Sequence, residues 1–388
     1  MRLIRNWASH RRFRRLNADQ RNIVFYSESK QDWHHLSPII NYLTSALSRT
    51  VCYVTSDVDD YGLSQDNARL LPFCIEEGTM RTWFFQMLEA DVMVLTMLDL
   101  NNLELKRSIH SVYYIYMFHG MGSTHMVDFE NSYDHYDAIF CVGPHQLCEI
   151  RRREELNKLK AKHLFEHGYH RLEELMAERL RRTPATNPDD PVTVLLAPTW
   201  GDQSILNSCG DELIAVLLSA GYRVIMRPHY HTRRLTPHVV DHLVNRFQGE
   251  PLFEYMELMG ETDSLFGSDL LICDWSAMAV EYALALEKPV LFIDVPRRIR
   301  NPNYRKLGIA PIEEFIRDDV GTVLNPDRLA EAPRHIEALL KAPDQFREKI
   351  EALRGKLVFN LGHSAEAAAK EIARIADEKA HERRERSS

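Results

Sequence analysis

Short runs of apolar residues recur along the first half of the chain, separated by longer stretches that are typical of helices. Nearly continuous apolar runs are typical of strands that are covered on both faces of a sheet. Alternation of such strands with helices predicts βαβ units and a parallel sheet. The predicted strands are residues 22–26, 51–55, 91–96, 112–118 and 138–142, and the predicted helices are residues 36–47, 79–88 and 146–162.

The alternation stops at residues 180–191, where prolines, an asparagine and two adjacent aspartates predict a linker. It then resumes, so the fold class is predicted to be α/β, with two doubly wound halves. We expect a basic segment over residues 1–20, a first domain over 21–179 and a second domain over 192–380. The predicted strands of the second domain are residues 192–197, 222–226, 269–273 and 289–294, and its predicted helices are residues 212–219, 277–286, 345–357 and 364–378.

The bulk composition is that of a soluble globular protein of 388 residues, 45% of them hydrophobic and 27% charged. This length fits two domains better than one hydrophobic core. The formal net charge of −8 argues against a protein that coats nucleic acid. No apolar run approaches the roughly 18 residues of a membrane span, and no secretory signal follows the first basic residues. Six scattered cysteines without a C-x-x-C pair favour reduced thiols and a cytoplasmic location.

Residues 1–16 are strongly basic, with six arginines interleaved with Trp7, Phe13 and other apolar residues before the first acid at Asp19. Such a segment can lie on an anionic membrane surface, with arginines toward the headgroups and aromatic rings in the interface. A basic tail or an ordinary first helix would have the same composition. Peripheral contact with the inner face of the cell membrane is therefore one of three interpretations.

Polar and small residues follow four of the predicted strands. In open parallel sheets ligands bind beyond the carboxyl ends of the strands, so these positions are candidates for a binding site. Two such sheets facing each other would bring the four positions together across a cleft. They are His119-Gly120, Pro198–Gly201, Arg227–His229 and Asp274–Ser276.

The candidates in the second half suit a nucleotide with its phosphate groups. Ser276 lies where a strand passes into a helix, so it would help to bind an anion there or only cap the helix. Glu281, about one and a half turns further on, would accept both hydroxyls of a ribose or be a surface charge. Arg227 and His229 suit a pyrophosphate or belong to a polar turn. Thr199 would donate to a phosphate or occupy a turn.

Metal and cofactor motifs are weak in this sequence. His229-Tyr-His231 could supply two metal ligands, but no third ligand follows at a reliable spacing. Asp57-Val-Asp59 matches the D-x-D pattern that some glycosyltransferases use for a divalent metal, and a solvated turn is the favoured interpretation. Neither a Walker loop nor G-x-G-x-x-G is present, so ATP hydrolysis and dinucleotide redox chemistry have no support. We expect no required cofactor and no metal.

His119 closes an apolar strand and is followed by Gly120 and Gly122, which let a backbone or a ligand approach closely. A histidine with a pKa near neutrality is a suitable general base for a hydroxyl nucleophile. A hydrogen-bonded core histidine is the alternative, and the residues alone leave both open.

Four motifs in this order resemble the CDP-glycerol glycerophosphotransferase family of teichoic-acid and capsule enzymes. They are HG, APTW, RPH and D-W-S followed by E-x(7)-P, where the family reads roughly WHG, APTWR, RPH and DYSS. The match runs over residues 114–295, with weaker similarity at 167–170. It implies the GT-B fold, in which two Rossmann-like domains face each other across a cleft. Residues 21–179 would be the acceptor side, and residues 192–380 would bind the nucleotide donor.

The resemblance implies that His119 is the catalytic base that deprotonates an acceptor hydroxyl. The oxygen attacks the phosphorus nearest glycerol, and CMP leaves. Cationic side chains and helix-end N–H groups would stabilise the leaving phosphate, a role that a metal fills in other transferases. The donor-binding residues that it implies are Gly120, Thr199, Arg227, His229, Asp274, Ser276 and Glu281.

The sequence departs from the family pattern in three places. Residues 121–125 lack the family's lysine, Gly201 replaces the arginine after APTW, and Ala277 replaces the second serine of DYSS. The expected donor is CDP-glycerol, CDP-ribitol or a nucleotide sugar, and the expected acceptor is a cell-surface glycan or its lipid-linked precursor. A glycosyltransferase on the same fold and a non-catalytic nucleotide- or glycan-binding module are the alternatives.

Overall fold

A computed structural model describes residues 2–101, 105–182, 190–257 and 262–387, with side chains from residue 5 to residue 386 of these ranges. Of the predicted linker, residues 183–189 lie outside the described residues. The chain forms two compact units. The first is Met1–Gly120, Asp128–Arg171 and Leu357–Ser388, and the second is Met121–Val127 and Leu172–Lys356.

The strands of the first unit are β1 Ile23–Ser27, β2 Val51–Thr55, β3 Leu70–Cys74, β4 Val92–Leu95, β5 Tyr113–Met117, β6 Ala138–Cys141 and β7 His163–Glu166. They form one sheet in the order β3-β2-β1-β4-β5-β6-β7, and every neighbouring pair is parallel. Inside this sheet, Phe25 lies opposite Tyr53 on one side and Val94 on the other. All three side chains are buried, so the interior strands form the core of the unit.

The strands of the second unit are β8 Thr193–Leu196, β9 Arg223–Met226, β10 Phe253–Tyr255, β11 Leu270–Cys273, β12 Val290–Ile293 and β13 Gly321–Leu324. They form a second parallel sheet in the order β10-β9-β8-β11-β12-β13. Consecutive strands of a parallel sheet need crossover connections, and helices supply most of them here. The observed architecture is therefore two parallel α/β units.

The helices vary in length from a single turn to a long C-terminal helix. None of those within the described ranges is long and apolar enough to cross a bilayer. The helices are α1 Arg2–Arg14, α2 Trp33–Asn41, α3 Thr79–Gln86, α4 Pro144–Asn157, α5 His170–Arg181, α6 Ile205–Ser208, α7 Gly210–Ser219, α8 Tyr230–Leu235, α9 Pro237–Phe247, α10 Asp263–Gly267, α11 Met278–Leu286, α12 Ile312–Phe315, α13 Arg317–Val320, α14 Ala332–Leu340, α15 Pro343–Leu357 and α16 Ser364–Ser387.

The C-terminal helix α16 belongs to the first unit, although the sequence places residues 192–380 in one domain. Its inward face consists of small and branched apolar residues, including Ala369 and Ile372, which are completely buried in the core of the first sheet. Residues 121–127 lie within the predicted first domain but belong to the second unit. The division by sequence position thus differs from the division by packing.

The basic N-terminal segment begins with the helix α1, which packs in the first unit. Phe13 is buried, and its ring meets the rings of Phe73 and Phe84 edge-on, with centroids 5.4 and 5.0 Å away. Aromatic pairs in this arrangement add to the stabilisation that burial gives. One face of α1 is therefore part of the core, and the opposite face carries exposed arginines.

Candidate active site

The carboxyl ends of three neighbouring strands bring most of the predicted binding residues of the second half to one edge of the sheet. In the parallel register, Leu196 of β8 lies opposite Met226 of β9 and Ile272 of β11. The loops that follow these strands therefore start side by side. They carry Thr199, Arg227, His229, Asp274 and Ser276, and Glu281 lies in the first turn of α11, just after them.

Asp274 is buried and holds two of these loops together. Its carboxylate accepts the backbone N–H groups of Thr199 and Trp275, both at 2.8 Å, and that of Ile205 at 3.4 Å. Burial raises the pKa of this carboxyl, and these hydrogen bonds, together with one from the Thr199 side chain, oppose the rise. Asp274 therefore ties the loop after β8 to the loop after β11, and it already engages the Thr199 hydroxyl.

Ser276 caps the helix that follows it. Its hydroxyl oxygen accepts the N–H of Met278, the first residue of α11, at 3.2 Å. A serine that accepts in this way still has its proton to donate. Helix capping and anion binding, the two interpretations of Ser276, are therefore compatible. Glu281 is half-buried on the same helix.

Arg227 is largely shielded from solvent, with a relative exposure of 9%. One guanidinium nitrogen donates to the Ser264 hydroxyl at 3.2 Å, and another lies 3.8 Å from the Met278 sulfur. Both of these partners are uncharged. The guanidinium therefore lies beside the first residue of α11, the helix that Ser276 caps.

The imidazole of His229 is held by the backbone of its own loop. Its Nδ1 accepts the N–H of His231 at 3.1 Å, so the neutral ring carries its proton on Nε2. The rings of His229 and His231 stack with centroids 5.4 Å apart. Burial, followed by the charges of His231 and Arg298, lowers the pKa of His229 to about 4. At neutral pH the imidazole is therefore uncharged and has an N–H to donate.

The loop after β5 is part of the second unit from Met121 to Val127. The Glu313 carboxylate accepts the N–H of Ser123 at 2.9 Å, and the Asn301 side chain donates to the carbonyl of His125 at 3.0 Å. The side chains of Ser123 and His125 are themselves buried. The hydroxyl and imidazole groups that follow the two glycines therefore lie within the protein.

Gly122 and Ala277, which belong to two of the departures from the family pattern, pack closely against each other. A Cβ atom at Gly122 would lie 3.0 Å from a carboxylate oxygen of Glu313 and 3.4 Å from the Cβ of Ala277. Glycine leaves room for this approach, and alanine at position 277 keeps the facing side chain small. The changed loop and Ala277 thus fit one another.

His119 follows β5 in the first unit, and its side chain is exposed to solvent. Its carbonyl accepts the Tyr169 hydroxyl at 3.0 Å, and the carbonyl of Gly120 accepts the Gln146 side-chain amide, also at 3.0 Å. These hydrogen bonds fix the backbone of the pair. The imidazole therefore stands accessible on a constrained backbone.

The surroundings of His119 keep its imidazole neutral near pH 7. Although the ring is open to solvent, enough protein surrounds it that desolvation lowers its pKa, and the Asp32 carboxylate opposes this effect. The His35 ring lies with its centroid 5.7 Å from that of His119. A neutral imidazole is the form that can accept a proton from a hydroxyl.

His119 stands next to a cluster of histidines in the first unit. The ring of His35 lies 6.3 Å from that of His170, which lies 6.3 Å from that of His167. Burial lowers the pKa of His167 to about 3 and that of His170 to about 4, and it lowers that of His35 well below 6.5. These residues are not among the candidates that the sequence predicts, and the weak similarity at positions 167–170 is the only signal for the cluster in the sequence.

The D-x-D stretch lies in the first unit, and the carboxylate of its first aspartate accepts backbone N–H groups. Asp57 accepts the N–H groups of Asp59 at 2.9 Å and of Lys30 at 3.0 Å. Asp60 is buried and accepts the Thr55 hydroxyl at 2.7 Å. Within the described ranges, the side chains of His, Cys, Asp and Glu form no group of three or more that could hold a metal ion.

Comparison with protein families and with solved structures places the chain among known proteins. The family model described as CDP-Glycerol:Poly(glycerophosphate) glycerophosphotransferase matches residues 8–296. This range includes His119 and all the candidate residues of the second unit through Glu281. Among curated proteins, no match to the sequence is found.

Several solved structures share the fold at low sequence identity. The wall teichoic acid polymerase TagF is 16% identical, with a TM-score of 0.54, over 97% of this chain and 95% of that chain. UDP-GlcNAc 2-epimerase from Neisseria meningitidis is 11% identical, with a TM-score of 0.59, over 91% and 99%. An α,α-trehalose-phosphate synthase from Burkholderia vietnamiensis is 10% identical, with a TM-score of 0.53, over 90% and 99%.

These likenesses confirm the expected GT-B fold, with its two parallel-sheet α/β domains. The family match extends over well more than half of the chain and confirms the resemblance that the four motifs indicated. The chain belongs to the CDP-glycerol:poly(glycerophosphate) glycerophosphotransferase family and is a transferase.

Proposed function

We propose that the protein transfers glycerol phosphate, or a related polyol phosphate, from a CDP-activated donor to a hydroxyl of a cell-surface glycan or of its lipid-linked precursor. The observation that carries this proposal is the family match over residues 8–296, which contains the accessible His119 and the polar cluster at the ends of β8, β9 and β11. TagF, a wall teichoic acid polymerase, shares the fold, and cell-envelope polymers are the acceptor class that we propose.

In the proposed reaction, His119 accepts the proton of the acceptor hydroxyl. The oxygen forms a bond to the phosphorus nearest the polyol, and the bond from that phosphorus to the bridging oxygen breaks. The electron pair leaves with CMP. A neutral imidazole suits the first step because it has a free lone pair, and desolvation lowers the pKa of His119 as this role requires.

We propose that the donor's phosphates bind to Arg227, His229 and Ser276. Each of these residues can donate a hydrogen bond, through a guanidinium, the Nε2–H of a neutral imidazole and a hydroxyl, respectively. Glu281, on the helix that Ser276 caps, would accept the hydroxyls of the ribose. These donors would stabilise the charge on departing CMP, so we expect no requirement for a metal or a cofactor.

The remaining proposed donor-site residues act through the shape of the loops. Gly120, with its carbonyl held by Gln146, would let the donor approach the base without a side chain in the way. Asp274 and Thr199 hold the loops after β8 and β11 in place through their hydrogen bonds. A direct contact of the Thr199 hydroxyl with a phosphate would compete with its bond to Asp274.

We also propose that α1 makes peripheral contact with an anionic membrane surface at the inner face of the cell membrane. Trp7 of α1 is 55% exposed, and Trp83 of α3 is 41% exposed. Both line a recess of about 500 Å³, together with Arg11, Arg14 and Arg15. Exposed indole rings suit the membrane interface, and arginines suit anionic headgroups.

Vesicle flotation tests this contact. The protein should float with vesicles that contain phosphatidylglycerol and not with pure phosphatidylcholine vesicles, and high salt should weaken binding. A variant with Arg11, Arg14 and Arg15 changed to Gln should lose most of this binding, whereas Arg328→Gln, in the second unit, should keep it. Equal binding of both arginine variants would contradict the proposal.

A donor panel tests the reaction. We would incubate the protein with CDP-glycerol, CDP-ribitol and several UDP- and GDP-sugars, with membrane extract as the source of acceptor, and measure nucleotide release with and without EDTA. We expect release from a CDP-polyol that depends on the acceptor and survives EDTA. Release only from a nucleotide sugar would indicate a glycosyltransferase, and stabilisation by a donor without any turnover would indicate a binding module.

Two variants separate the roles of base and phosphate donor. His119→Ala should abolish transfer and leave donor affinity nearly unchanged. His229→Ala should instead weaken donor binding by about 1–3 kcal/mol, the scale of a hydrogen bond to a charged group. Loss of donor affinity in the first variant, or its full retention in the second, would contradict these assignments.

A further inference from the structure

Arg298 follows β12 in the second unit and is half-buried against an aromatic ring. The carbon at the centre of its guanidinium lies 3.3 Å from the centre of the Trp200 ring, which is a cation–π contact. No carboxylate of the described residues forms an ion pair with Arg298, and burial and the nearby Arg300 both lower its pKa. A partly desolvated cation without a counter-charge would be stabilised by an anion.

The groups around Arg298 are basic. The ring of His231 lies 4.5 Å from that of Trp200, and it stacks on the ring of His229. Burial lowers the pKa values of both histidines, and nearby positive charges lower them further. The charges that act on His231 are those of Arg234, Arg298 and Arg300. The cluster thus has three arginines near His231, next to the neutral imidazole of His229, which can donate a hydrogen bond.

Arg298 also lies beside the position where the family pattern has an arginine and this chain has Gly201. The φ angle of Gly201 is +114°, a conformation that favours glycine. A Cβ atom built on Gly201 would lie 3.9 Å from the Cδ of Arg298. The side chain of Arg298, from the loop after β12, therefore lies close to Gly201, where the family pattern has an arginine.

We propose that Arg298 and His231, with Trp200 as the stacking surface, form a phosphate subsite next to His229. The planar guanidinium would form parallel hydrogen bonds to the oxygens of a phosphate, and Trp200 would hold its plane in place. Arg298 would thereby place a guanidinium near the position where the family pattern has an arginine and this chain has Gly201. This inference rests on the proposed function, because it adds a phosphate-binding group to the proposed donor site.

The phosphate has two possible sources with the same chemistry: the pyrophosphate of the donor or a phosphodiester of the acceptor. The test is calorimetric titration of the full chain with CDP, inorganic pyrophosphate and a glycerol phosphate oligomer. Arg298→Gln removes the charge, Arg298→Lys keeps the charge but removes the planar fork, and Arg328→Gln removes an exposed arginine elsewhere in the second unit.

We expect Arg298→Gln to weaken binding of CDP and pyrophosphate about tenfold or more, the scale of a charged hydrogen bond. Arg298→Lys should give a smaller loss, and Arg328→Gln should stay within about twofold, the scale of an exposed pair. Loss confined to the oligomer would also support the subsite and would assign it to the acceptor. Thermal melting checks that each variant is folded.

Unchanged affinity of folded Arg298→Gln for all three probes would overturn the subsite, and so would failure of the unaltered protein to bind any of them. The proposed function can fail separately. If pyrophosphate binding depends on Arg298 but no CDP-polyol is turned over, the subsite stands and the transfer reaction does not. If Arg298→Gln and the unaltered chain turn over CDP-glycerol equally well and bind all three probes equally tightly, the transfer reaction stands and the subsite does not.

Discussion

The imidazoles of His119 and His35 lie with ring centroids 5.7 Å apart, and this closeness affects which of them can hold a proton. A positive charge on one ring disfavours a charge on the other, and desolvation lowers the pKa of both. Asp32 acts in the opposite direction on His119. In the proposed reaction His119 starts neutral, and the Asp32 carboxylate stabilises the imidazolium that forms when the hydroxyl proton is taken.

Replacement of Asp32 by Asn should move the acidic limb of the pH profile. The pKa of His119 is lowered from 6.5, so activity should persist below that pH and fall when the imidazole becomes protonated. Asp32→Asn removes the charge that raises this pKa, so the limb should move to still lower pH. Asparagine keeps an oxygen for the N–H of Glu28, which Asp32 now accepts at 2.8 Å.

The measurement is kcat/KM for CMP release against pH, because this quantity reports the base in the free enzyme. Asp59→Asn, an exposed change in the same unit, is the matched control and should leave the limb in place. A limb that moves to higher pH in Asp32→Asn, or that does not move, would contradict the electrostatic account of His119.

Some residues of the site could be predicted from the sequence and others could not. His119 was a candidate because it ends an apolar run just before glycines, which is a local signal. Asp32 directly precedes α2, and His35 lies within α2. Arg298 lies in a loop outside the four motifs. Their proximity to the candidates arises from the fold, and a single sequence without that fold does not show it.

At the scale of neighbouring elements, Asp274 connects the loops that follow β8 and β11. It accepts N–H groups from two loops that begin at adjacent strand ends, β8 and β11. The predicted role of Asp274 in shaping its loop therefore extends to the neighbouring loop. Because the loop after β8 also carries Trp200, this connection should influence the proposed phosphate subsite.

Asp274→Asn should lower the free energy of unfolding by about 1–3 kcal/mol, because an amide nitrogen would face a buried N–H in place of a carboxylate oxygen. It should also weaken binding of CDP. Urea unfolding and calorimetry measure the two effects. Asp241→Asn, on the surface of the same unit, should change both little. Unaltered stability in Asp274→Asn would show that its carboxylate does not hold the loops.

The apolar pattern predicts the interior strands of both sheets and misses all the edge strands of the described sheets: β3, β7, β10 and β13. An interior strand is covered on both faces and has a neighbour on each side, so nearly every residue is apolar. Edge strands differ: β3 contains Pro72, and β7 and β10 are only partly buried. The sequence signal thus follows burial, and it weakens where burial does.

The C-terminal helix α16 offers a test of the division into units. Ile372 is completely buried in the first core, and Ile372→Ala should cost about 2–5 kcal/mol of stability by leaving a cavity. Hydrogen exchange should therefore speed up in β1 and β4 and change little in β8 and β11. Glu378→Ala, an exposed change on the same helix, should alter neither sheet. Faster exchange confined to the second sheet would contradict the assignment of α16.

For the whole molecule, alternation of strands and helices predicts two α/β halves, and the comparisons confirm the GT-B fold. The alternation does not reveal that residues 121–127 belong to the second unit and that residues 357–388 belong to the first. The pattern of an amphipathic helix predicts that one face is buried, but it does not predict against which sheet that face packs. The fold class was therefore predictable, and the composition of each unit was not.

The identity of the leaving nucleotide tests the central claim most directly. Phosphorus NMR of the protein with CDP-glycerol and an acceptor distinguishes CMP from CDP as the product. Transfer of glycerol phosphate breaks the bond between the two phosphates, so we predict that CMP appears, that a new phosphodiester forms on the acceptor, and that neither is seen with His119→Ala. Release of CDP would mean that the phosphates stay together, and it would contradict the assignment of this protein as a polyol phosphate transferase.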